Sequence, residues 1–112
     1  VRVGAESPKE SELRLLAREA GLPEPVLQHE LFDAVGRWIG NFDLAWPEAR
    51  LIAEYDGDQH RTSTAQYERD IRRFDDAAEA TWRVIRVRTR GLGEGRRDTI
   101  RRLQDAYATA TL

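Results

Sequence analysis

The chain has 112 residues, enough for one domain with a single modest core. It contains no cysteine, which excludes disulfides, thiolate chemistry and the usual structural zinc sites, and its two histidines are too far apart to rebuild one. No apolar run approaches the roughly twenty residues that cross a bilayer and no signal-like segment is visible, so no membrane association and a cytoplasmic location are expected.

The first residue is Val1 rather than Met. Residues 1–6 are therefore expected to be a flexible start, and the chain is compatible with being the C-terminal part of a longer one. The formal net charge of −2 conceals a division. Residues 1–60 hold 6 basic and 12 acidic groups, residues 61–112 hold 12 and 8, and 17 of the 18 basic residues are arginine. A basic half beside an acidic one suits a phosphate-bearing polymer, although any single arginine is better read as solvating a helix face.

In chain order, Ser7-Pro8-Lys9-Glu10 reads as a helix start, with Ser7 as cap and Glu10 as its capping-box partner. Leu13, Leu16, Ala17 and Ala20 form the buried stripe, and Gly21 ends the helix. Residues 26–32 read as a strand, in which His29 has no role beyond structure. A loop through 33–36 follows. Residues 37–46 and 50–56 read as two strands joined by a two-residue turn centred between Pro47 and Glu48. Thr62 or Ser63 caps a second helix, with Tyr67, Ile71, Phe74 and Ala78 facing inward. Residues 82–89 form a fourth strand, with Ile85, Val87 and Thr89 on one side and Arg86, Arg88 and Arg90 on the other. Gly91 to Gly95 reads as a flexible link, and a last helix from Arg96 or Arg97 buries Ile100, Leu103 and Tyr107. The expected order is αβββαβα, a single α/β domain over residues 1–112 with a mixed sheet of about four strands between helices.

The chemistry concentrates in Asp43, Glu54, Asp56 and His60. Carboxylates are scarce in strands, because they resist burial and pack poorly on a pleated surface. The proposed turn sets Asp43 opposite Ile52 and one diagonal step from Glu54. Alternation then puts Asp43, Glu54 and Asp56 on one face, and Phe42, Leu44, Trp46, Leu51, Ala53 and Tyr55 on the other. Like charges so placed repel unless something positive binds, and a divalent cation is the simplest candidate.

Taken together, Ser7-Pro8-Lys9-Glu10-Ser11, Asp43-Leu44-Ala45, Glu54-Tyr55-Asp56-Gly57-Asp58-Gln59-His60, Asp70 with Arg73, and Trp82-Arg83-Val84-Ile85-Arg86-Val87 resemble the restriction-endonuclease-like (PD-(D/E)XK) superfamily. Within it they are similar to small bacterial proteins related to very-short-patch-repair endonucleases. The resemblance implies an αβββαβα core and Mg²⁺ or Mn²⁺ held by Asp43, Glu54 and the carbonyl of Tyr55, with Glu10 and Asp56 as further contacts. It also implies DNA as partner. The superfamily expects a lysine two residues after the Glu; Asp56 stands there, and the chain's one lysine is Lys9. Under this resemblance either Asp56 joins the metal site, with His60 placing or protonating a water, or the site is weakened; the former is favoured because the related group often carries Asp there.

Plainer readings stand beside these. Asp56 before Gly57 is also a common turn pair, His60 also a loop histidine, and Asp70 with Arg73 also a helical ion pair. Arg61, Arg73, Arg86 and Arg88 are the candidates for phosphate contact; Arg86, Arg88 and Arg90 equally form an exposed strand face. Two functions follow. One is a divalent-metal-dependent DNA endonuclease or nickase. The other is a catalytically weak or inactive module of the same fold that binds nucleic acid or protein, such as part of a toxin–antitoxin regulator.

Overall fold

In the computed structural model the described residues are 7–57 and 63–111. Helix α1 (Pro8–Glu19) starts as its cap dictates, Ser7 Oγ accepting from Glu10 N at 3.1 Å. Leu13, Leu16, Ala17 and Ala20 are buried, and Gly21 leaves the helix at φ +88°. Strand β1 (Val26–Phe32) pairs antiparallel with β2 (Trp38–Trp46), which pairs antiparallel with β3 (Leu51–Tyr55). Helix α2 (Thr64–Glu79) crosses over to β4 (Arg83–Val87), parallel to β3. The mixed sheet has the order β1-β2-β3-β4. A short α3 (Thr89–Leu92) and the long α4 (Arg96–Ala110) complete the chain.

The core divides by sheet face. Leu13, Leu16, Leu44, Trp46, Leu51, Ala53, Ile85, Val87 and Leu103 pack on the α1 and α4 side, while Phe42, Ala45, Ile52, Ala77 and Trp82 pack with Phe74 on the α2 side. Trp46 satisfies its buried indole N–H on the carbonyl of Pro23 at 2.8 Å. Among the described residues no helix is long and apolar enough to cross a membrane.

Several expectations need correction. The β2–β3 link is not a two-residue turn but a 3₁₀ turn, Pro47–Ala49, closed by Arg50 in the left-handed region at φ 47°. The longer connection shifts the register by two residues, pairing Ala45 with Ile52 and Leu44 with Ala53. An even shift preserves the faces.

Phe42 leaves the group assigned to it and joins the α2-side cluster. Strict alternation breaks beside Gln28, a non-glycine strand residue at φ 49°. On α2, Tyr67, Ile71 and Ala78 are exposed; the half-buried and buried positions toward the sheet include Asp70, Arg73, Phe74 and Ala77. This helix presents a charged residue to the sheet, so its apolar periodicity misreports its inner face.

The Gly91 to Gly95 stretch is no flexible link, and Thr89 belongs to α3 rather than β4. Leu92 is buried in the core, and Thr99 Oγ1 donates to the carbonyls of Gly91 and Gly95 at 2.9 and 3.2 Å. A Cβ on Gly91 would stand 2.9 Å from Thr99 Oγ1, so glycine serves close packing here. In α4 the buried residues are Thr99, Leu103 and Ala106, with Ile100 and Tyr107 half-buried against the same cluster.

Candidate metal and phosphate site

Pairing between β2 and β3 reaches only Leu44 and Ala53, although both strands extend further. Beyond that point the strands part. Continuing the register by one residue sets Asp43 across from Glu54, directly rather than diagonally. Asp43 Oδ2 takes over the role of a strand acceptor and receives the Tyr55 N–H at 2.9 Å. The fork opens a cavity of about 840 Å³ lined by Glu10, Asp43, Glu54, Tyr55, Asp56, Asp70, Lys9, Arg73 and Arg86, with Trp38 and Gln66 at its sides.

Each carboxylate has a distinct setting. Glu54, 9% exposed, is gripped by Arg73 through both oxygens: Nη1 donates to Oε1 at 3.2 Å and Nη2 to Oε2. Burial pushes the Glu54 carboxyl above its ordinary value, Arg73 pulls it back, and Asp43 adds to the rise. Asp56 is paired with Arg86 at 3.0 Å and lies 3.9 Å from Arg88.

Asp43 forms no salt bridge among the described residues. Burial raises its carboxyl from 3.8 to about 6, opposed by the Tyr55 N–H and reinforced by the charge of Glu10, with smaller lowering from Arg73 and Gln28. Glu10 offers its backbone N–H to Ser7, but its carboxylate accepts from Gln28 Nε2 at 3.2 Å rather than closing the capping box. It therefore turns to the cleft.

Gln28 was not anticipated as a site residue. It lies in β1 next to Asp43, whose carboxyl it lowers slightly, donates to Glu10, and holds a left-handed backbone that costs a non-glycine residue about 1 kcal/mol or more. Its one sequence signal was a polar residue in an otherwise strand-like segment. Arg73 was expected as an ion pair with Asp70 or as a phosphate contact. The Asp70 contact is 4.0 Å, and the main partner is Glu54. His29 behaves as expected, its ring 5.7 Å from that of Trp82. His60 and Arg61 lie outside the described residues.

A second cavity of about 320 Å³ shares Arg86 with the first and is lined also by Arg88, Arg90 and Arg102. Its one carboxylate, Asp98, is paired with Arg101. Arg90 pairs with Glu94 at 3.0 Å on the open surface. The acidic cleft and the basic groove thus share one lining arginine, Arg86. The expected strand face of Arg86, Arg88 and Arg90 is split, since Arg90 belongs to α3.

The donor set suits a hard divalent cation in type: carboxylate oxygens, and burial of one that lacks a positive partner. As they stand, no three Asp, Glu or His side chains among the described residues are grouped to hold an ion together. Two of the carboxylates are turned to arginines instead. Arg73 and Arg86 meet part of the demand for positive charge that the strand carboxylates implied.

No family model and no solved structure matches the chain. It is similar to Uncharacterized protein Rv2248 of Mycobacterium tuberculosis strain H37Rv and to Uncharacterized protein MT2308 of strain CDC 1551, 36% identical to each over 83 residues. The match covers 74% of this chain and 30% of each relative, so the chain corresponds to under a third of their length.

Proposed function

We propose that this chain is a restriction-endonuclease-like domain that hydrolyses phosphodiester bonds of DNA with Mg²⁺ or Mn²⁺ held by Asp43 and Glu54. The observation that carries the reading is the fork between β2 and β3, which brings carboxylates of two adjacent strands across from each other in one cleft. Element order supports it too, being that of the superfamily core apart from the added α3. Glu10, Tyr55 and Asp56 line the same cleft, and by resemblance the two carboxylates and the Tyr55 carbonyl are the further oxygen donors. When bound, the cation would neutralise charge on the phosphorane and acidify an attacking water.

The protein's own groups have separable tasks. The Tyr55 N–H orients Asp43, Gln28 holds Glu10, Arg73 orients Glu54, and Arg86 and Arg88 hold Asp56. His60 is assigned to proton transfer. The groove of Arg86, Arg88, Arg90 and Arg102 suits the phosphates flanking the scissile bond.

The second reading, a binding module with weak or absent turnover, draws on one observation. Glu54 and Asp56 are already paired with arginines, so the cluster does not require a metal to be tolerated. Incubating the protein with supercoiled plasmid in Mg²⁺, Mn²⁺ or EDTA separates the two. The nuclease reading expects metal-dependent nicking that Asp43→Ala and Glu54→Ala abolish. Absence of nicking, or equal nicking by the variants, would leave the binding module.

A further inference from the structure

Arg73 is held more firmly than a surface helix pair requires. Its side chain is 18% exposed, and its guanidinium lies 4.5 Å from the ring centroid of Phe42 and 4.8 Å from that of Phe74. Nη1 also donates to the carbonyl of Asn41 at 2.9 Å. The stem crosses Gly40, where a Cβ would stand 2.5 Å from Arg73 Cδ and 2.7 Å from Cγ. Backbone, rings and a glycine thus aim one cation at Glu54.

The cleft as a whole has five acidic side chains, Glu10, Asp43, Glu54, Asp56 and Asp70, against Lys9, Arg73 and Arg86. The lining charges leave a formal excess of two negative charges, which Arg88 at 3.9 Å from Asp56 reduces to one, so the cleft still favours a cation. Such an ion would share Glu54 with a guanidinium that already engages both carboxylate oxygens.

We propose that Arg73 is the resident counter-ion of the cleft and that a divalent cation binds by drawing Glu54 away from it, so that Arg73 sets how tightly the site takes metal. The proposal rests on the metal-site reading above. Arg73 is a positioning residue here: it engages both Glu54 oxygens and so competes with an arriving ion for them. A ligand group with two competing cations binds either one more tightly when the other is removed.

Calorimetric titration of the whole chain with Mn²⁺ at about pH 8 tests this without reference to activity. Arg73→Gln should bind Mn²⁺ roughly tenfold more tightly than wild type, the scale expected when one nearby positive charge is lost in a partly solvated site. Arg73→Lys, which keeps the charge but loses the fork, should fall between. Gly40→Ala leaves every charge in place, displaces the Arg73 stem and should tighten binding in the same direction; it serves if Arg73→Gln does not fold. A purely structural Arg73 would lower thermal stability with no gain in Mn²⁺ affinity.

Unchanged or weaker binding by folded Arg73→Gln or Gly40→Ala overturns the proposal. If wild type binds Mn²⁺, Asp43→Ala does not, and the Arg73 and Gly40 variants match wild type, the metal site stands and the competition falls. If neither wild type nor variants bind Mn²⁺, both fall together.

Discussion

Replacing Asp43 with asparagine should stabilise the metal-free protein at mildly alkaline pH. The substitution is nearly isosteric, and the amide oxygen can still accept the Tyr55 N–H that Asp43 receives at 2.9 Å. What changes is the charge. Burial holds the Asp43 carboxyl at about 6 against an ordinary 3.8. At about 1.4 kcal/mol per pH unit, that rise corresponds to roughly 3 kcal/mol by which the ionised native state is disfavoured. Asp43 keeps some solvent contact, so about 1 to 3 kcal/mol is the working range.

The sign follows from proton binding. Between about pH 4 and pH 6 the native state holds the Asp43 proton more tightly than the unfolded chain, so acidification favours folding through this group. Above about pH 6 both states are ionised and that contribution is gone. Asparagine never ionises. The variant should therefore exceed wild type in EDTA at about pH 8, by up to about 10 °C in midpoint, and the gap should shrink towards about pH 5. Thermal or urea unfolding across that range is the assay. A variant less stable than wild type at about pH 8, or a gap unchanged at about pH 5, would refute the reasoning.

In the groove, Arg88→Ala with Arg102→Ala should weaken duplex DNA binding in EDTA and reduce the slope of log affinity against log salt by about 2, if each arginine meets one phosphate. Fluorescence anisotropy at several salt concentrations measures it, and an unchanged slope would remove the groove from the DNA path. Trp46→Phe should cost about 2 kcal/mol in urea unfolding, because it leaves the Pro23 carbonyl without its buried donor and opens a small void. Gly91→Ala should destabilise by about 1 to 3 kcal/mol through the Thr99 contact, whereas a merely flexible link would tolerate it.

How far the structure was legible in the sequence differed by element. Helix α1 was readable because Ser7, Pro8 and the Leu13, Leu16, Ala17 spacing are local signals that agree with one another. The existence and faces of β2 and β3 were readable for the same reason. Their register was not, because it hangs on Arg50, an arginine in a left-handed conformation that its residue type does not announce. Arg50 is fixed from afar, its guanidinium donating to Thr81 Oγ1 at 2.8 Å and to the Ala80 carbonyl at 2.6 Å.

The site shows the same divide. Asp43 and Glu54 stood out as carboxylates in apolar strands, and both line the cleft. Gln28 did not, and Arg73 was legible only as a phosphate contact or a partner of Asp70, since their parts depend on β1 and α2 reaching the fork from distant stretches of chain. Apolar periodicity turned α2 the wrong way because Arg73, a charged residue, occupies its inner face.

Anomalous diffraction from Mn²⁺-soaked crystals, collected with and without a prior EDTA wash, tests the central claim most directly. The account predicts one Mn²⁺ peak within coordination distance of both an Asp43 and a Glu54 oxygen, with the Arg73 guanidinium displaced from Glu54. A peak bound elsewhere, or a cleft without manganese and with the Arg73–Glu54 pair intact at saturating Mn²⁺, would contradict it.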